Sequence, residues 1–285
     1  MGGRGALSLT DLVAAALAED LGDGDRTSLW TLDAGLRGSA AIVAKADGVV
    51  AGMEAAVEAF RQADPDLEAE PLATDGARVR PSDAILRVGG SLRSILGAER
   101  TALNFLGRLS GVATLASRFV EAVAGTGCRI VDTRKTTPGW RALEKRAAAA
   151  GGAINHRFGL FDMVLIKENH IRAAGGVRPA LERAAARAAA EGIEVEIEVT
   201  KLDELEEVLG IGADRVLLDN MSLPELRRAV RRVRAEPEPR PLLEASGGVT
   251  LETVRAIAET GVDLISVGAI THSAPALDLT LLVTG

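Results

Sequence analysis

Apolar residues along the chain follow two different regimes. Thr10–Glu19 puts Leu12, Val13, Ala16 and Leu17 on one helical stripe, with Gly22 placed to stop it. The acidic stretch Asp20–Ser28 reads as turn. From Ser39 to Val88 short β-like runs recur, notably Ala40–Ala44 and Ala84–Val88, with Pro65, Gly76 and Pro81 marking turns. A helical stretch spans Ser91 to Val123 and is expected to break at Ser110-Gly111, where the domain change is placed.

After Gly127 the pattern becomes regular. Short apolar runs (Arg129–Asp132, Met163–Ile166, Val195–Val199, Val216–Leu218, Leu242–Glu244 and Leu264–Val267) alternate with Ala-rich helical segments at Val177–Glu191, Leu202–Leu209, Leu223–Arg234 and Leu251–Thr260. Apolar strands alternating with helices predict a parallel sheet covered by helices, and six such units point to an α/β barrel rather than an open sheet. The runs are closed by Thr133-Arg134-Lys135, Lys167, Glu198, Asp219-Asn220, Ser246-Gly247-Gly248 and Gly268. In barrel enzymes the C-terminal strand ends form one active-site face. Two lysines, an arginine, two carboxylates and two glycine loops around one mouth suit a phosphate and a metal.

Composition sharpens this picture. A net charge of -7 argues against a general nucleic-acid binder. Residues 129–172 nevertheless carry nine Lys or Arg against four acids, with His156 and His170 among them. A basic concentration inside an acidic chain suits a small polyanion, because Arg binds carboxylates and phosphates bidentately. Arg141, Lys145 and Arg146 read instead as a solvated helix face. Cys128 is the only cysteine and the three histidines lack metal-site spacing, so neither a disulfide nor a zinc cluster is expected. With no long apolar run and no signal-peptide core, a cytoplasmic location is expected.

Several segments then become recognisable. Asp132-Thr-Arg-Lys-Thr-Thr-Pro-Gly139, Asn155-His-Arg-Phe-Gly-Leu160, Ile166-Lys-Glu-Asn-His170, Glu196-Ile-Glu-Val199, Leu217-Leu-Asp-Asn220 and Glu244-Ala-Ser-Gly-Gly248 resemble quinolinate phosphoribosyltransferases. Glu19-Asp-Leu-Gly22, Gly24-Asp-Arg-Thr-Ser28 and Glu99-Arg-Thr-Ala-Leu-Asn104 resemble the same family, so the likeness spans nearly the whole chain in order. Glu168 departs from the aspartate expected beside the lysine, keeping the charge and adding a methylene.

The resemblance implies an α/β fold with an N-terminal α/β sandwich (residues 1–110) and a C-terminal incomplete α/β barrel (residues 111–274), the tail 275–285 packing with the first. It implies a pentosyltransferase that moves phosphoribosyl from phosphoribosyl pyrophosphate to quinolinate, with Mg²⁺, giving nicotinate mononucleotide, pyrophosphate and CO₂. By the same resemblance Arg134, Lys135, His156, Arg157 and Lys167 form the pocket for the dicarboxylate and nearby phosphates. Arg100 reaches the site from the second subunit of a homodimer, which can assemble further into a hexamer. Glu198 and Asp219 approach ribose and metal, and Ser246, Gly247, Gly248 and Gly268 hold the 5′-phosphate.

Elementary chemistry agrees. Two carboxylates in a neutral pocket would be left desolvated and unpaired. Thr250 is a good N-cap for a helix over Leu251–Thr260, whose N–H groups would face a phosphate. Two alternatives remain at this point, a molybdate-transport-associated pyrophosphorylase-like relative and a non-catalytic sensor of phosphoribosyl pyrophosphate. Lys167 and the retained carboxylates speak against them.

Overall fold

The structure, a computed structural model, describes residues 7–284. In chain order its elements are α1 (Leu9–Leu21), α2 (Arg26–Thr31), β1 (Arg37–Ala44), β2 (Gly48–Val49), α3 (Met53–Ala63), β3 (Glu68–Pro71), β4 (Arg78–Val79), β5 (Ala84–Ser91) and α4 (Leu92–Ala122). There follow β6 (Arg129–Val131), α5 (Arg141–Ala150), β7 (Val164–Ile166), α6 (Glu168–Ala174), α7 (Val177–Glu191), β8 (Val195–Val199) and α8 (Leu202–Leu209). The last are β9 (Arg215–Asp219), α9 (Leu223–Arg234), β10 (Leu242–Ser246), α10 (Val254–Ala258), β11 (Leu264–Ser266), α11 (Ala269–His272) and β12 (Leu279–Val283).

These elements form two compact units. The first contains the residues up to Ser117, Thr136–Gly152, and those from Ile270 onward. Its main sheet is antiparallel, in the order β12-β1-β5-β3, so the C-terminal strand is an edge strand hydrogen-bonded to β1. Inward-facing Ala40, Ile42 and Ala44 of β1 alternate with less buried neighbours, the period expected of a sheet with one covered face.

Three expectations fail in this unit. The stretch read as turn up to Ser28 holds α2, because the Asp25 side chain accepts the Ser28 N–H at 3.1 Å and caps a helix there. The region read as β-like contains α3, whose Ala55, Ala56, Ala59 and Phe60 form a buried helical stripe. α4 runs unbroken through Ser110 and Gly111. The glycine is required there for a different reason: a Cβ at position 111 would lie 2.0 Å from the Pro275 carbonyl oxygen. The helix keeps its hydrogen bonds, and the missing side chain makes room for a crossing backbone.

The expectation of a solvated face on α5 also needs correcting. Arg146 is exposed and paired with Glu54 at 2.8 Å, but Lys145 is buried, as are Leu143, Glu144, Ala147 and Ala148. That buried arc is wider than a one-sided amphipathic stripe, so position along the helix alone misjudged Lys145.

The second unit, Arg118–Lys135 and Ala153–Ala269, is the α/β part. Its sheet is parallel throughout, ordered β6-β11-β10-β9-β8-β7; β6 and β7 are its end strands, and the outer edge of β6 is bridged by Ile154 at Val131. This is an incomplete α/β barrel, as expected. α7, α8 and α9 span the very residues predicted for them. α10 does not: the segment after Thr250 makes turns, and only Val254–Ala258 is helical. Its N-cap is Thr253 rather than Thr250. The regular helix thus begins three residues later than expected, with turns between it and the Ser246-Gly247-Gly248 loop.

Candidate active site

All six strands of the second unit run parallel, so their C-terminal ends meet at one edge. The strands are less uniformly apolar than the sequence reading supposed. β8 reads Val195-Glu196-Ile197-Glu198-Val199, which puts both glutamates on one face and the branched residues on the other. The register places Glu198 beside Leu217, Leu217 beside Glu244, and Asp219 beside Ser246, so these residues share the glutamate-bearing face. One face of this sheet is thus loaded with carboxylates, two of which, Glu196 and Glu244, are fully buried.

At the strand ends the predicted residues come together. Lys167, directly after β7, donates from Nζ to Glu198 Oε2 at 3.0 Å. Burial, and then the charge of Glu198, raise the pKa of Asp219, against the pull of an Asn220 hydrogen bond and of the Lys167 and Lys135 charges. Lys135, Lys167, Glu198 and Asp219 therefore form one electrostatic group. Lys135 is exposed.

The loop after β10 is shaped around its neighbour. Gly247 and Gly248 have φ of 102° and 58°, and a Cβ on Gly247 would lie 2.1 Å from Asn220 Oδ1. Asn220 itself sits at φ 53° and donates from Nδ2 to Asp219 at 2.6 Å. Ser246 and Gly268 close the ends of β10 and β11 on the same edge.

Arg157 is buried and donates from Nη1 to the Met163 carbonyl at 3.1 Å. Burial and the nearby charge of Arg134 lower its pKa, while Glu196 and Asp162 support its charge. Two guanidinium groups held close enough to repel each other favour an anion between them. The loop that follows Arg157 is fixed by Asp162, whose carboxylate accepts the N–H groups of Phe158 (2.5 Å) and Gly159 (2.8 Å).

His156 is placed differently from a simple pocket residue. Its backbone N–H donates to the fully buried Asp132 at 2.8 Å, and its ring sits beside Glu196 (Nε2 to Oε2, 3.0 Å) and Glu244 (3.4 Å). Nδ1 accepts the Arg157 N–H at 2.8 Å. Burial disfavours the ring's charge, but hydrogen bonds to Glu196 and Glu244 outweigh it and push the His156 pKa up to about 9. A ring charged at Nδ1 would nevertheless point a proton at the Arg157 N–H. The hydrogen bond requires a lone pair there, so the added proton belongs on the carboxylate side. Burial also raises the pKa of Glu196, in keeping with that assignment. These three groups lie within 4.8 Å of one another, as metal ligands would. A neutral ring with its Nδ1 lone pair in use carries its proton on Nε2, and so presents the glutamates with a donor rather than a metal ligand.

Arg100 belongs to the first unit, exposed on α4. It lines a cavity of about 860 Å³ with Glu19, Asp20, Asn104, Arg108 and Trp140, and there Trp140 stacks on Phe105 with ring centroids 4.6 Å apart. Cys128 is buried in the second unit, and burial drives its thiol up to about 12, which leaves it inert. Sequence reasoning missed Asp132, Glu196, Glu244 and Asn220. The alternation in Glu196-Ile-Glu198 was a legible signal for Glu196, and an asparagine directly after a strand was a weak one for the left-handed backbone of Asn220.

Comparison with known proteins fits this geometry. Residues 25–110 match a family model described as quinolinate phosphoribosyl transferase, N-terminal domain, and residues 112–282 match its C-terminal domain. A probable nicotinate-nucleotide pyrophosphorylase (carboxylating) of Synechocystis is 43% identical, over 93% of this chain and 89% of its own length. The nicotinate-nucleotide pyrophosphorylase (carboxylating) of Mycobacterium leprae is 42% identical, over 95% of both chains. Among solved structures, the nicotinate-nucleotide pyrophosphorylase of Francisella tularensis superposes with a TM-score of 0.91 at 41% identity, covering 97% of this chain and 96% of that one.

Proposed function

The chain belongs to the quinolinate phosphoribosyltransferase family, and from that membership we infer that it transfers phosphoribosyl from phosphoribosyl pyrophosphate to quinolinate with decarboxylation, yielding nicotinate mononucleotide, pyrophosphate and CO₂. This is a pentosyltransferase step of NAD synthesis. The observation that carries the reading is the joining, at one sheet edge, of Lys135, Lys167, Glu198 and Asp219, with the paired cations Arg134 and Arg157 in the same unit. The names of the relatives favour the carboxylating enzyme over the transport-associated and sensing alternatives.

The roles follow from charge and geometry. Arg134 and Arg157 receive the pyridine dicarboxylate, their mutual repulsion relieved by its two negative charges. Lys135 and Lys167 neutralise phosphate oxygens, and the left-handed Gly247-Gly248 backbone, with Ser246 and Gly268, lets a 5′-phosphate approach N–H groups closely. The ring nitrogen attacks C1 of the ribose as the C1–O bond to pyrophosphate breaks; its positive charge then favours loss of the adjacent carboxylate as CO₂, and the ring carbon left behind takes a proton from water. No covalent nucleophile is needed. Glu198 and Asp219 fit Mg²⁺, because Asp219 is held protonation-prone by burial and by a second carboxylate, a repulsion that a hard dication removes. When bound there, Mg²⁺ supplies positive charge to the departing pyrophosphate.

Incubation with quinolinate, phosphoribosyl pyrophosphate and Mg²⁺ is expected to release CO₂ and nicotinate mononucleotide, with nicotinate a poor substitute; ligand binding without CO₂ release would reject the assignment. The exposed Arg100 is read as serving the site of a second copy, in a homodimer or a hexamer of such dimers. Sedimentation at working concentration should therefore give at least a dimer, and an active monomer would remove that role. Among the described residues no helix is long and apolar enough to cross a membrane, in keeping with the cytoplasmic location we propose.

A further inference from the structure

We propose that Asn220 is a positioning residue shared by two halves of the strand-end site. One end of its side-chain amide aims the Asp219 carboxylate, and the other sets the course of the phosphate loop at Gly247. The inference rests on the functional reading above, in which phosphoribosyl pyrophosphate meets both places.

Backbone direction is the first observation. Asp219 closes β9, and in an extended strand the next side chain would point to the opposite face of the sheet. Asn220 instead has φ 53°, in the left-handed region that asparagine accepts more readily than other side-chain-bearing residues. The turn brings its amide back beside its neighbour, where Nδ2 donates to Asp219 Oδ2 at 2.6 Å. The Asn220 backbone N–H meanwhile donates to the Ser246 carbonyl at 2.9 Å, one step beyond the pairing of Asp219 with Ser246. Asn220 is thus pinned to β10 while its side chain is folded back over β9.

The amide has two unlike ends, and chemistry fixes which faces where. An ionised carboxylate only accepts hydrogen bonds, so the NH₂ end belongs at Asp219 and the carbonyl end on the far side. That carbonyl end meets Gly247, where a Cβ would lie 2.1 Å from Asn220 Oδ1 and 2.5 Å from its Cγ. Rotating the amide to relieve such a clash would break the bond to Asp219. Gly247, at φ 102°, is therefore fitted to Asn220 as well as to its own turn. Asn220 is exposed, so burial does not hold its side chain, and these two contacts carry the constraint. Asp219 feels the charges of Glu198, Lys167 and Lys135, which pull its carboxylate in different directions. A fixed donor on Oδ2 selects one orientation among them.

Asn220→Gly removes the amide and keeps the left-handed backbone, so a residue needed only for the turn would be replaced without loss. Calorimetric titration with phosphoribosyl pyrophosphate and Mg²⁺, without quinolinate, should show an affinity about tenfold below wild type, the weight of one hydrogen bond to a charged group. In turnover the KM for phosphoribosyl pyrophosphate should rise by the same factor, while the quinolinate KM and the melting temperature stay at wild-type values. A crystal structure of the variant should show the Asp219 carboxylate turned from its wild-type direction. Unchanged affinity, an unmoved carboxylate, or a loss shared equally by quinolinate would overturn the proposal and leave Asn220 a turn residue. Gly247→Ala approaches the same acid from the loop, and its loss of affinity should be about threefold or more smaller when Asn220 is already replaced by Gly. Equal losses in both backgrounds would show that Asn220 does not join the loop to Asp219. A wild-type protein that binds phosphoribosyl pyrophosphate but releases no CO₂ from quinolinate would sink the functional reading alone, with the titrations still deciding the role of Asn220; one that does not bind it would sink both.

Discussion

Arg157→Ala is expected to lower kcat/KM for quinolinate by about a thousandfold, roughly 4 kcal/mol of lost transition-state stabilisation. The size follows from burial. Arg157 is only 9% exposed, so an anion bound to it is paired out of water, where removing one partner leaves the other charge uncompensated. The loss should fall more on quinolinate than on phosphoribosyl pyrophosphate, because Arg157 is grouped with Arg134 and Glu196 rather than with the Lys167–Glu198 pair. Arg157→Lys should recover only part of the activity, since an ammonium cannot reproduce the planar fork or hold the Met163 carbonyl in the same direction. Steady-state kinetics with each substrate varied in turn checks both statements. Unchanged quinolinate kinetics in a folded Arg157→Ala protein would remove the residue from the site.

The largest expected loss of stability lies in the first unit, at Glu144. This carboxylate is fully buried and accepts hydrogen bonds from Arg108 Nη2 at 2.8 Å, from the Thr137 N–H at 2.9 Å and from Thr137 Oγ1 at 2.8 Å. Arg108 also donates to the carbonyls of Ala274 (2.8 Å) and Thr271. One ion pair thus joins α4 to α5 and to the C-terminal segment of the same unit. Glu144→Ala strands Arg108 and the Thr137 donors, and should cost about 3–5 kcal/mol, as for breaking a buried pair from one side. Glu144→Gln keeps an acceptor and the volume, so it should cost clearly less. Urea denaturation would show a lower midpoint with little change in slope, and a loss below 1 kcal/mol for Glu144→Ala would mean that the pair is not a structural tie.

Much of the catalytic reading was legible in the chain. The apolar runs located all six strands of the barrel, and the charged or glycine residues closing each run named Arg134, Lys135, Lys167, Glu198, Asp219 and Ser246-Gly247-Gly248. That works because a parallel sheet puts every strand's C-terminal end on one edge, so sequence position at a strand end becomes position at the mouth. Helices α7, α8 and α9 were equally readable, since their apolar periodicity is local and their Gly or Ser boundaries are strong.

What the sequence determined by itself, then, was the alternation of strands and helices, the pooling of cations near one end, and the family. What only the tertiary structure decided was anything that depends on a neighbour distant in the chain. Gly111 serves a backbone crossing 164 residues later, at Pro275, and so reads falsely as a helix break. Lys145 reads as solvated from its place on α5, and the fold buries it. Nothing in the sequence shows the surroundings of the His156 ring, which the fold supplies from the Arg157 N–H next door and from Glu196 and Glu244 on separate strands. Periodicity reports which face a residue occupies; hydrogen-bond saturation depends on what the fold brings to that face.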